Sequence, residues 1–447
     1  MPQSVDVKDL MPQLEAELAG LVAIPSVSVP GQIDQPLLDA FEMTSELFAG
    51  AGVQVSKLEL PNTAPVITGE IPAPPGAPTV LLYSHYDVVG AGDESNWTSA
   101  PFELRRDGDA LYGRGAADTK SNILMHVGAL RAWNGKPPVG IKLCIEGYEE
   151  IGSGELLGRV ADHAELFDAD TLVIGDMGSI IPGQPTLSTA LRGMANVEVV
   201  CETLDSPVHS GLFGGAAPDA LLALIHLIAS MHDVSGDVAV DGLLREEWPD
   251  AEQSEEQFRK LGGVREGLPL LGSGGLGSRI WTGPAITPIG IDVADVANAL
   301  NSVNANARAL LNVRVHPEQD AVEAQNAVLS HIEAQRPFGI ELSTTRGPTG
   351  NGFRAKTDGA AYAAARAAWA GAYGRDPVLA GGGGSIPIVS AMANASPEAE
   401  ALLIGTTDGF ANIHGPDERV LASEFAAATT ALADFFGRYA AGFVGQI

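Results

Sequence analysis

Histidines and carboxylates recur in this chain at the ends of apolar runs. In "LLYSHYDVVG", residues 81–90, an apolar run closes on His85 and Asp87. Side chains at i and i+2 of an extended segment point to the same side. His85 and Asp87 are therefore neighbours at the C-terminal edge of a predicted sheet, where open α/β folds place their ligands. Four more stretches end in the same kind of residue: Asp118 in "GRGAADTK", Glu149 and Glu150 in "EGYEEIGSG", Asp176 in "VIGDMG" and His414 in "NIHGPDE". A hydrolytic two-metal site uses this inventory. It takes an imidazole and a carboxylate on each ion, one carboxylate bridging two ions about 3.5–4 Å apart, and a further carboxylate free to handle a proton. Neighbours in an extended chain point apart, so one of Glu149 and Glu150 can ligate while the other stays free. Each piece has a plain alternative. Asp118 can cap the helix predicted from Thr119, the Glu pair can be an exposed loop, Asp176 can begin a turn, and His414 can be a loop histidine. Taken together, five strand ends in one domain favour the shared site.

The elements that must position these residues are legible as alternating strands and helices. Helix patterns cover 8–24 and 34–51, the second closing at the glycine of "AGAG". "VQVSKLEL", "APVITGEI", "TVLLYSH", "GIKLCIEG" and "TLVIGD" read as strands, with a helix from "DTKSNI" to about Trp133. Strands that alternate with helices and end in polar residues predict an α/β fold with a mostly parallel sheet. From about residue 191 the character changes. "GMANVEVVCET" alternates like a half-exposed strand, "APDALLALIHLIASMH" is a helix, and 233–280 is long, charged and Gly-rich. "RALLNVRVH", "EQDAVEAQNAVLSHIEAQ" and "GIELSTTRG" complete an α+β module. The predicted organisation is one catalytic α/β domain, residues 1–190 and 347–447, interrupted by an inserted α+β module at 191–346.

Composition narrows the class. With 447 residues, 45% hydrophobic and 18% charged, the chain is long enough for two or three folded domains. No run of apolar residues is long enough to span a bilayer, and the acidic, amphipathic N-terminus does not resemble a secretory signal. A formal net charge of −30 argues against nucleic acid or an anionic membrane as partner. The two cysteines, Cys144 and Cys201, lie in apolar strand-like runs and read as buried thiols, which points to a cytoplasmic home.

The residues above also sit in longer stretches: "HYDVV", "NWTSAPFELRRDGDALYGRGAADTK", "EGYEEIGSGE", "VIGDMG", "SPVHSGLFGG", "GGGGSIPI" and "NIHGPDE". In that order, over residues 85 to 418, the chain resembles the M20 family of metallopeptidases. The likeness is strongest to the dipeptidase branch, the cytosolic non-specific dipeptidases and carnosinases. The long "W…PF…LYGRG…D" spacing is the most specific part; "GGSIP" and the late histidine carry weight only in order. The resemblance implies two divalent ions per subunit, His85 and Asp176 on one, Glu150 and His414 on the other, and Asp118 bridging. Zinc is favoured, and manganese and cobalt accept the same ligands. It further implies that Asp87 orients His85 and that Glu149 is the general base acting on a metal-bridged water. The inserted module becomes a lid that also makes a homodimer, from which His209 of one subunit reaches the site of the other. On pattern alone His209 is a loop histidine at a helix start. Arg314 in "NVRVHP" would hold a substrate carboxylate, with a surface strand arginine as the alternative, and Ser385 in "GGSIP" would be a further substrate contact. Two departures stand out: "LAGGGGSIP" lacks the arginine that the branch usually carries shortly before "GGSIP", and Ser121 replaces the family's glycine after "D-x-K". The expected activity is amide hydrolysis of small peptides, most simply dipeptides. An N-acyl amino acid deacylase is the alternative, and a binding protein without catalysis a more distant one.

Overall fold

In the computed structural model, which describes residues 5–250, 253–293, 295–384 and 386–443, the chain opens with α1 (Val7–Val22) and α2 (Gln35–Gly50). It continues through β1 (Gln54–Leu58), β2 (Val66–Ile71), β3 (Thr79–His85), α3 (Ser121–Ala132), β4 (Gly140–Glu146), β5 (Thr171–Gly175) and β6 (Thr186–Leu191). Next come β7 (Gly193–Glu202), α4 (Ala220–Ser230), β8 (Ala285–Asp292), β9 (Asn306–Val315), α5 (Ala321–Gln335) and β10 (Ser343–Gly350). The chain closes with α6 (Ala360–Tyr373), β11 (Glu400–Ile404) and α7 (Ala422–Phe443). These elements divide into two units. Unit 1 holds the residues up to Thr189, Ala355–Leu379 and those from Pro387 onward; unit 2 holds Ala190–Arg354 and Ala380–Ile386. The division drawn from sequence ended the inserted module at 346, whereas β10 runs on to Gly350 and unit 2 to Arg354.

Unit 1 is built on a sheet whose order is β1-β2-β4-β3-β5-β11-β6. Its four central strands, β4, β3, β5 and β11, run parallel, and the flanking pairs are antiparallel. This is the α/β fold with a mostly parallel sheet expected from the sequence. A central parallel strand is covered on both faces and so carries an unbroken apolar run. Val80, Leu81, Leu82 and Tyr83 of β3 and Leu172, Val173 and Ile174 of β5 are accordingly all fully buried. Leu14 and Leu18 of α1, Ile123 and Leu130 of α3 and Phe425, Phe435 and Phe436 of α7 join the same core. Each such side chain contributes about 1.5–3 kcal/mol on burial. Their collective effect is a rigid floor under the carboxyl ends of β4, β3 and β5.

Unit 2 has an antiparallel sheet, order β8-β9-β7-β10. Along β7 the residues Ala195, Val197, Val199 and Cys201 turn inward against Leu224 and Leu227 of α4 and Val328 and Ile332 of α5. The alternate residues of β7 and β9 lie on a half-exposed face. Both cysteines are free and buried. Among the described residues no helix is long and apolar enough to cross a membrane.

Candidate metal centre

Three adjacent parallel strands deliver most of the site. β3 ends on His85, β5 ends one residue before Asp176, and β4 ends at Glu146, three residues before Glu149. The loop after β4 turns tightly through Gly147. A Cβ there would lie 2.2 Å from the Tyr86 ring, so the glycine of "EGYEE" is required by packing. Asp118 lies just before α3 with extended backbone angles (φ −117°, ψ 88°). It does not cap that helix; its carboxylate faces two imidazoles. His85 Nε2 is 3.1 Å from Asp118 Oδ1 and 3.3 Å from Asp176 Oδ1. His414 Nε2 is 3.1 Å from Asp118 Oδ2 and 3.1 Å from Glu150 Oε2. The two oxygens of Asp118 thus face two ligand groups, one of His85, Asp118 and Asp176, the other of Asp118, Glu150 and His414. Within each group the potential ligand atoms lie within 4.8 Å of one another. Glu149 Oε2 stands 4.0 Å from His85 Nε2 without belonging to either group.

Electrostatics shows what this cluster requires. Carboxylates about 4 Å apart repel by about 4 kcal/mol per pair at an effective dielectric constant near 20, so their negative charge must be met by protons or cations. Burial works against a charged His85. The Asp176 charge and hydrogen bonds to Asp118, Asp176 and Asp87 outweigh it and hold the imidazole well above its ordinary range. Hydrogen bonds to Asp118 and Glu150 push His414 up to about 10. Burial raises Asp118, but the two imidazoles overcome it and hold its carboxyl far below the usual range. Burial also raises Asp176, to about 6, and Glu149, to about 9, the latter helped by Asp176, Glu146 and Glu150 and opposed by His85. Glu150 Oε1 is buried with no hydrogen-bond partner. A buried carboxylate oxygen left without a partner, on a residue whose other oxygen meets an imidazole, is what a divalent cation satisfies. The donor set therefore fits a pair of metal ions.

The surrounding contacts explain why neighbouring motif residues are of the types they are. Asp87 lies under His85, its Oδ1 3.3 Å from Nδ1, while the Asp87 carbonyl oxygen is 3.1 Å from the same nitrogen. The same carboxylate accepts the backbone N–H groups of Glu149 and Glu150 at 3.3 and 3.2 Å. One buried aspartate thus fixes the imidazole and the carboxylate loop together, a second role not evident from the i, i+2 spacing. Arg114 and Glu418 were not singled out from the sequence, yet they join the remaining two ligand segments. Buried Glu418 accepts the N–H groups of Gly115, Ala117 and Asp118 at 3.1, 2.9 and 3.0 Å and pairs with Arg114 at 2.5 Å. Arg114 also donates to the Gly415 carbonyl at 3.1 Å, and its guanidinium lies 5.2 Å from the Trp97 ring centroid. The available signal was their presence inside "LYGRG" and "HGPDE" beside ligand residues.

Of the other residues selected from sequence, His209 and Arg314 belong to unit 2 and Ser385 lies outside the described residues. His209 is exposed and caps the short helix Ser210–Phe213, its Nδ1 accepting the Gly211 N–H at 3.0 Å. Arg314 is half-buried on β9, opposite Met194. Ser121, in place of glycine, hydrogen-bonds Thr406 at 2.6 Å. A further ligand-like group among the described residues, Glu246, His316 and Glu318, also lies in unit 2. There Arg354 meets both carboxylates, and His316 accepts the Glu318 N–H on Nδ1 while Nε2 lies 3.2 Å from Glu246, so the cluster's polar groups partner one another.

Residues 81–438 match the family described as Peptidase family M20/M25/M40. The chain is 40% identical over 396 residues to the cysteinylglycine-S-conjugate dipeptidase of Corynebacterium striatum, covering 87% of each protein. It is 26% identical over 452 residues to the beta-Ala-His dipeptidase of Rattus norvegicus, covering 93% of this chain and 90% of that one. Its fold is similar to the solved structure of the dipeptidase Dug1p from Saccharomyces cerevisiae, with a TM-score of 0.80, 25% identity and 97% of each chain covered.

Proposed function

We propose that this chain, which belongs to peptidase family M20/M25/M40, hydrolyses the amide bond of dipeptides with two divalent ions, zinc first among the candidates. The observation that carries this reading is the placement of Asp118 between two imidazole-and-carboxylate groups. His85, Asp118 and Asp176 would hold one ion and Asp118, Glu150 and His414 the other. Bound there, divalent ions lower the pKa of water and polarise the scissile carbonyl. Glu149 then takes the proton of the attacking water and hands it to the leaving amine, the acid–base cycle of a single positioned carboxylate. Positive charge at the two groups would lower the raised pKa of Glu149 and so keep it a base at neutral pH. Asp87 orients His85 through Nδ1, leaving Nε2 for the ion.

His209 is assigned to the oxyanion of the tetrahedral intermediate, supplied by the second subunit of a homodimer. Support comes from its tautomer. Because Nδ1 accepts the Gly211 N–H, a neutral ring carries its proton on Nε2, a donor exposed to solvent. The homodimer is assigned to the edge of unit 2, where among the described residues β8 pairs on one side only and exposes Ile289 and Ile291. Arg314 and Ser385 are assigned to substrate binding, and the two free, buried thiols agree with a cytoplasmic location.

The experiment is hydrolysis of a dipeptide panel beside N-acetyl amino acids, before and after chelation and with zinc, manganese or cobalt restored. Metal-dependent cleavage of dipeptides is the expected result. Cleavage of acyl amino acids alone would transfer the assignment to a deacylase, and cleavage indifferent to chelation would remove the metal centre from the mechanism.

A further inference from the structure

The loop that carries Glu149 and Glu150 leaves β4 at Glu146 and ends in three consecutive left-handed residues: Gly152 (φ 89°), Ser153 (φ 60°) and Gly154 (φ 51°). Glycine takes this conformation freely, whereas a side chain there is strained. Gly154 has a second reason to be glycine, because a Cβ would lie 2.8 Å from Thr63 Oγ1. Between two glycines, the backbone alone would ask for a third. The chain instead places a serine there and buries it.

The Ser153 side chain has a specific partner. Its hydroxyl donates to Glu146 Oε1 at 2.9 Å, and the Tyr83 hydroxyl donates to the same oxygen at 2.7 Å. Glu146 is itself buried, pairs in parallel register with His85, and accepts the Tyr86 N–H on its carbonyl at 2.8 Å. It belongs to the strand floor beneath the ligand groups. The Ser153 hydroxyl thus fastens the far end of the loop to the residue from which the loop departs. Inside that ring the Gly152 N–H donates to the Glu149 carbonyl at 2.9 Å and the Ser153 N–H to the Tyr148 carbonyl at 2.7 Å. These main-chain bonds do not depend on the side chain at 153; the bond to Glu146 does. Glu149 Oε2 stands 4.0 Å from His85 Nε2, beyond hydrogen-bond reach, so the turn that carries Glu149 sets where its carboxylate stands.

We infer that Ser153 is a positioning residue for the general base: its hydroxyl, held by Glu146, keeps the left-handed turn closed and so fixes Glu149 beside His85. This rests on the peptidase reading above, in which Glu149 handles the proton. A misplacement of about 1 Å can cost about 10²-fold in rate, which gives a reason for keeping a strained serine where glycine fits.

Ser153→Gly and Ser153→Ala separate the backbone from the hydroxyl. Both remove the hydrogen bond, but only glycine relieves the strain, so Ser153→Gly is expected to melt at a higher temperature than Ser153→Ala. With a dipeptide at saturating metal, both should lose kcat about 10- to 100-fold, with KM held within about threefold. A serine with a merely structural role predicts the opposite pattern. There kcat would follow the melting temperature, with Ser153→Gly close to the wild type, and that result would overturn the inference. Ser153→Gly carries the comparison alone if Ser153→Ala does not fold. Hydrogen exchange of the amides of 147–153 needs neither metal nor substrate and should quicken about tenfold without the hydroxyl; unchanged exchange would also overturn the inference. If the wild type cleaves no dipeptide with any of the three metals, the peptidase reading fails, and the exchange measurement alone decides whether Ser153 holds the turn.

Discussion

At the residue scale the site rests on carboxylates that each do a different task because of what surrounds them. Glu149 and Glu150 are adjacent in sequence, yet Glu150 faces His414 while Glu149 stands outside both ligand groups. Glu149→Gln should therefore keep its metal content and lose turnover by about 10²- to 10⁴-fold, the range of a positioned general base; metal analysis and kcat on one preparation check both halves. Glu418 acts at one remove. It receives three backbone N–H groups and the Arg114 guanidinium, and so ties the Asp118 segment to the His414 loop. Breaking such a buried pair costs about 3–5 kcal/mol. Glu418→Ala is expected to lower the melting temperature and, in calorimetric titration of the metal-stripped protein, to weaken metal uptake more than tenfold. Unchanged uptake by a folded variant would show that the latch does not position ligands. The residues of the cluster were legible in the sequence because imidazoles and acids at strand ends stand out from apolar runs. Glu418 and the second role of Asp87 were not, because accepting main-chain N–H groups imposes no spacing on the sequence.

At the scale of elements, apolar strands buried on both faces announced themselves, whereas a buried polar strand and an exposed, irregular one did not. β3 and β5 are continuous apolar runs. β6, "TLSTAL", buries Thr186, Ser188 and Thr189 and so reads as polar. β8 contains Pro288 and Gly290 at a register shift and is exposed along most of its length, which removes the alternation that marks a half-buried strand. Helix α3 is fastened beneath the site through His126, which lies 3.1 Å from the Tyr83 carbonyl oxygen and 3.1 Å from the Ser84 hydroxyl. Burial lowers this imidazole to about 4, against the Tyr83 carbonyl, which favours the charged ring. Its folded pKa lies below the unfolded value of about 6.5, so the unfolded chain binds the proton first. The stability His126 contributes is complete above about pH 6.5 and is lost as pH falls toward 4, about 2 kcal/mol by pH 5. Denaturant unfolding at pH 7.5 and pH 5 should show that loss in the wild type and a correspondingly smaller one in His126→Asn.

For the whole molecule, the alternation of strands and helices made the α/β fold legible, and the change of pattern near residue 191 marked the start of a second unit. The return was less sharp, because β10 is exposed along nearly all its length and carries Gly347, Pro348 and Gly350. The proposed assembly makes a separate demand at this scale. If the free edge of β8 joins two chains, Ile291→Asp should shift sedimentation from dimer to monomer and leave the metal content of each chain intact; a wild type that sediments as a monomer would contradict the assembly. The central claim is that one carboxylate, Asp118, unites two metal positions. The most direct test is metal content per chain after equilibration with a divalent ion, for the wild type and Asp118→Asn, with dipeptide turnover recorded on the same samples. The account predicts two ions per chain and full turnover in the wild type, with both lost or sharply reduced in the variant. Two ions retained by an Asp118→Asn protein that still turns over, or a wild type that hydrolyses dipeptides with no metal bound, would contradict it.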